Sequence, residues 1–120
     1  MNEVNMLVIR KEQMEVFKKA EIEYFENRML KHLRSVFPIQ TKIINDDELL
    51  KLIQVGINNS QKYGIKMEWD IRRYLECSVL YGWDFDENQK TKWATEILSD
   101  QSIDGKIKMD KIEQFDANVK

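Results

Sequence analysis

Two adjacent arginines, a lone cysteine, a lone histidine and two acidic pairs are the groups in this chain whose types and spacing can do chemistry. Arg72-Arg73 lies between Trp69 and Tyr74, and a planar guanidinium grips a phosphate or carboxylate through two parallel hydrogen bonds. The same pair serves equally as a solvated helix face or as a structural ion pair with a nearby acid. Cys77 becomes a nucleophile only beside a base, and the single histidine is His32. His32 falls beside Met29 and Val36 with no second histidine to share a metal, so a packed or edge position is expected. Asp46-Asp47 and Asp84/Asp86 are explained by helix capping, because the central glycine and closing glutamate of a calcium loop are missing. A phosphate-cradling glycine loop, Cys/His metal spacing and a serine elbow are all absent. No catalytic residue, metal ligand or cofactor is assigned, and the expectation is a protein that is not an enzyme.

The element that must position these groups runs between Gly64 and Gly82. At about 100° per residue Met67, Ile71, Tyr74, Ser78 and Tyr81 align. Cys77, Val79 and Leu80 spread over the rest of the circumference, so this helix is expected to be enclosed on several sides. Gly56/Ser60 and Ser78/Gly82 are two small-residue pairs at helical spacing, which predicts a close crossing of their helices.

Before it, Met6-Leu7-Val8-Ile9 reads as an extended lead-in. One long helix is predicted from about Arg10 to Phe37, stopped by Pro38, the only proline. Met14, Ile22, Phe25, Met29, Leu33 and Val36 form its stripe, and its N-terminal half is long enough to project and seek a partner. A connector from Ile39 to Asn45 leads to a helix capped by Asn45 or Asp46 and ended near Tyr63 by Gly64. Its inward face is Leu49, Ile53, Gly56, Ile57 and Ser60. After the central helix comes a capping turn with Phe85 in the core. A short helix from Gln89 to Leu98 then buries Trp93, Ile97 and Ala94. Residues 101–120 form a polar tail, with Met109, Ile112 and Phe115 at the spacing of a short docked helix. The fold class is thus all-α: a compact bundle of four main helices, with a long N-terminal helix and a short or loose C-terminal one, in a single domain over residues 1–100.

Charged residues make up 33% of the chain and the mean hydropathy is -0.57, as on an ordinary solvated surface. A net charge of -2 argues against nonspecific nucleic-acid binding, which shows as a basic excess. No apolar run approaches the roughly 20 residues of a membrane span. The opening Met1 to Asn5 lacks signal-peptide features, so the cytoplasm is the expected compartment.

What remains is surface. Three Trp, four Tyr, five Phe and six Met are many for so small an interior: either they complete the core, or some stand near the surface, where aromatics and methionines mark protein contacts. The candidate partner-binding residues are Val16, Tyr24, Leu30, Trp69, Arg72, Arg73, Tyr81 and Trp83, for another protein or a second copy of the chain.

The run Tyr63-Gly64-Ile65, Glu68, Asp70, Tyr74, Gly82, Asp84-Phe85-Asp86, Trp93-Ala94 and Glu96-Ile97-Leu98 carries a resemblance, together with the Met6–Arg10 opening and the Phe37-Pro38 helix end. It resembles small helical proteins encoded in type VI secretion clusters, near genes for PAAR-type spike tips and secreted toxins. The similarity covers about residues 6 to 98; Lys92 stands where that pattern has proline, and the polar tail has no counterpart. The resemblance implies a cytoplasmic adaptor or chaperone that holds a secreted effector, toxin or spike-tip protein. The alternatives are an immunity protein that blocks a cognate toxin, and a regulatory interaction module unrelated to secretion.

Overall fold

The computed structural model describes the backbone of residues 3–119 and the side chains of residues 19–116. It is 77% helical with no strand among the described residues, which makes the fold all-α. The first helix, α1 (Glu3–Val36), takes in Met6 to Ile9, so these residues are helical rather than an extended lead-in. A lone extended segment has no partner for its backbone groups, whereas a helix satisfies them internally. At 1.5 Å per residue its 34 residues span about 50 Å, close to the molecule's longest dimension of 55 Å.

Pro38 ends α1 and opens a single further turn, α2 (Pro38–Thr41), inside what reads as a connector. Proline is suited to that first helical position because its missing N–H is an orphan there anyway. Arg34 fastens this corner. Its guanidinium donates to the carbonyls of Thr41 and Ile44 and pairs with Asp46 Oδ1 at 2.7 Å. The third helix, α3 (Asp46–Lys62), is capped by Asn45, whose side chain accepts from the Glu48 amide at 2.8 Å. Leu49, Ile53, Gly56, Ile57 and Ser60 are its buried residues, the face that the spacing predicts. Gly64 follows with φ +79°, the left-handed conformation that favours glycine after a helix.

The central helix, α4 (Glu68–Tyr81), packs against α1, α2 and α3. The close approach to α3 falls at Gly56, where a Cβ would lie 2.6 Å from Leu75 Cδ2. The crossing is therefore made by Gly56 against a leucine, not by two small-residue pairs face to face. Gly82 ends α4 with φ +114° while its amide donates to Ser78 O. Phe85 then sits fully buried in the following turn. A 3₁₀ turn (Gln89–Thr91) leads into α5 (Lys92–Leu98), in which Ala94 and Leu98 are fully buried while Trp93 and Ile97 pack at the margin.

The last helix, α6 (Gly105–Val119), docks on α4 and α5 and contributes Met109 and Ile112 to the core. A Cβ on Gly105 would lie 2.6 Å from Gly64 O, so the start of α6 touches the α3–α4 turn directly. Lys108 adds a hydrogen bond of 2.8 Å to the Tyr63 carbonyl at the end of α3, where a cation complements the helix dipole. Residues 105–116 are thus part of the packed body.

Candidate functional site

The first turn of α4 and the facing turns of α1 build one exposed aromatic and basic surface. Tyr24 and Arg28 are four apart on α1, and the Arg28 guanidinium lies over the Tyr24 ring at 5.0 Å. Trp69 and Arg72 are three apart on α4, and the Arg72 guanidinium lies 4.0 Å from the Trp69 ring centroid. Arg28 and Glu68 join the two helices through a 2.8 Å ion pair. Tyr24 is 67% and Trp69 61% exposed, far beyond what two aromatic rings adopt when they complete a core. Between the helices Phe25, Met29, Arg28, Glu68, Trp69 and Arg72 line a hollow of about 260 Å³. A second hollow of about 160 Å³ continues along the same seam, sharing Phe25 and Glu68 and bordered by Glu21 and Lys66.

The expected partner face divides on this structure. Tyr24, Trp69 and Arg72 meet as one surface, while Leu30 packs against the core from the same helix as Tyr24. Val16 lies outside the residues whose side chains are described. Arg73 is a correction: it is buried, and its guanidinium binds Asp70 at 2.9 Å, Asp110 at 2.7 Å and Glu113 at 2.8 Å. Burial alone would favour its neutral form, but the bonds it donates to Glu113, Asp110 and Asp70 hold its pKa above the ordinary arginine value. It is the strut that fixes α6 to α4. Tyr81 and Trp83 lie partly buried at the other end of α4 from Trp69. Tyr81 meets Trp93 edge-on at 5.5 Å and Phe85 at 6.4 Å, and Trp83 packs against the core beside Gly56. The aromatic residues of this half of the chain pack on one another, with Trp93 partly buried and stacked at 4.3 Å on Phe115, which is itself 37% exposed.

His32 takes the edge position expected of it and meets a carboxylate there: its Nε2 lies 2.6 Å from Glu76 Oε2, joining α1 to α4. Val36, placed on the buried stripe by its spacing, is half exposed, and Ile39 (82%) on α2 and Ile43 (89%) after it also stand in solvent. Cys77 is buried and its thiol is pushed up to about 12, first by desolvation and then by the carboxylates of α6, which leaves it a poor nucleophile. Tyr63 donates to the buried Asp86 at 2.7 Å, and burial followed by that bond raises its pKa well above the ordinary phenol. Among the described residues no three His, Cys, Asp or Glu side chains gather as a metal site, and no described helix is long and apolar enough to cross a membrane. No family model matches the chain, no curated protein matches it in sequence, and no solved structure matches its fold.

Proposed function

We propose that the chain is a protein-binding accessory whose recognition face is the α1–α4 surface around Tyr24 and Trp69. One observation carries this reading: two large aromatic side chains stand in solvent, each covered on one side by an arginine. Tryptophan, tyrosine and arginine are the residues that dominate binding energy at protein interfaces, and their low side-chain entropy favours anchoring. Ordinary packing would have turned these rings inward, as it does for Tyr74, Tyr81 and Trp93.

The finer reading comes from the sequence resemblance: an adaptor or chaperone for a secreted effector, toxin or spike-tip protein of a type VI secretion system. Its test is export. Deleting the gene abolishes delivery of the neighbouring effector without poisoning the producing cell, and the two purified proteins elute together as one complex. Self-poisoning on deletion would make the chain an immunity protein instead. Normal export and no complex would remove the secretion reading.

A further inference from the structure

Among the arginines whose side chains are described, Arg72 alone has no carboxylate against it. Arg28 pairs with Glu68, Arg34 with Asp46, and Arg73 with three acids on α4 and α6. The Arg72 guanidinium instead lies on the indole of Trp69, with its Nε shielded from solvent and unbonded. A guanidinium held against a ring has already lost part of its hydration and much of its rotational freedom. Its terminal nitrogens are thereby preorganised for an end-on carboxylate. The adjoining hollow holds Arg28 and Arg72 against the single carboxylate of Glu68, a surplus of one positive charge. Phe25 and Met29 form its apolar wall. Around the continuing hollow Glu21 and Glu68 stand against the single cation of Lys66, which opposes a run of acids.

We infer that Arg72 on Trp69 receives one carboxylate side chain of the partner polypeptide, with an apolar neighbour of that acid packed against Phe25 and Met29. The assignment rests on the protein-binding reading of this face and names the chemistry that the face selects.

The test uses the full chain and two blocked pentapeptides, Ala-Leu-Asp-Leu-Ala and its Asn counterpart. The probe is the Trp69 indole resonance, identified with Trp69→Phe. The Asp peptide is expected to shift that resonance saturably and to bind about tenfold more tightly than the Asn peptide, since a charge-assisted pair replaces a neutral one. Arg72→Gln, which keeps most of the stem, brings the Asp peptide down to the Asn level, and added salt narrows the gap. Equal binding of the two peptides, indifference to Arg72→Gln, or no shift with either peptide overturns the assignment. A protein complex lost with Trp69→Ala but kept with Arg72→Gln would leave the face standing and remove the carboxylate.

Discussion

His32 Nε2 and Glu76 Oε2 stand 2.6 Å apart across the seam between α1 and α4, each about three-quarters buried. With the proton on Nε2 the ring donates to the carboxylate, and this half-dry site strengthens the bond relative to water. It is a clamp on the face that carries Tyr24 and Trp69, because both belong to the same two helices. Replacing His32 by Gln and Glu76 by Gln, singly and together, is expected to give a coupling energy of about 1 kcal/mol in urea unfolding. Additive losses would show that the contact contributes nothing specific.

Arg73 bears a larger share of the fold. Arg73→Ala leaves Asp70 buried beside α6 without its cation, and removing one partner of a buried pair costs about 3–5 kcal/mol. That is a large fraction of the roughly 5–15 kcal/mol that holds a domain together. Chemical denaturation measures it. A loss below that of an exposed arginine would mean that α6 is held without the strut.

The same cluster sets a pH dependence. The hydrogen bond from Arg73, followed by that from Lys106, lowers the Asp110 pKa below its ordinary 3.8. A carboxylate with a depressed folded pKa stabilises the fold above its unfolded value and loses that contribution as pH falls through the folded one. This contribution is therefore expected to be constant above about pH 5 and to be lost below about pH 4, and Asp110→Asn should shrink the acid slope. Thermal melts across that range follow it; an unchanged slope in Asp110→Asn would contradict the pairing.

The reach of the sequence reading follows from where each contact is made. The inward face of α3, its Asn45 cap, the Gly64 stop and buried Phe85 are local facts of spacing and turn chemistry, and all are present. The docking of α6 was harder to see. Its polar flanks dilute the Met109–Ile112 signal, and its anchors reach Arg73 from 37 and 40 positions away. The His32–Glu76 pair spans 44 positions, which no helical period can register. For the candidate face, composition showed that aromatic residues were in excess but not which would stay outside. Trp69 and Tyr81 both lie on α4, yet only Tyr81 meets a ring from α5.

Gly105 makes a sharper test of how α6 is seated. An added methyl would meet the carbonyl of Gly64 and the Cα of Ile65 at 2.6 and 2.7 Å, and backbone cannot swing aside as a side chain does. Gly105→Ala is expected to cost about 2 kcal/mol or more, against the fraction of a kcal/mol that alanine gains over glycine in an open helix. A stabilised variant in thermal melting would show that this approach is looser.

Cys77 reports on the same interface without mutation. Buried between α4 and the acids of α6, its thiol is held almost entirely protonated near pH 8. Iodoacetamide is expected to label it at least about 100-fold more slowly in the native protein than in denaturant, because only the exposed thiolate attacks. Comparable rates would place Cys77 at the surface.

The central claim is that partners meet the Tyr24–Trp69 face, and photo-crosslinking reads this directly. A benzoylphenylalanine is placed at position 69, or at position 55 on the outer side of α3, where Val55 is also exposed. Each variant is then irradiated with the purified effector proposed above as its partner. A covalent complex is expected from position 69 and none from position 55. Crosslinking from position 55 alone, or equally from both, would contradict it.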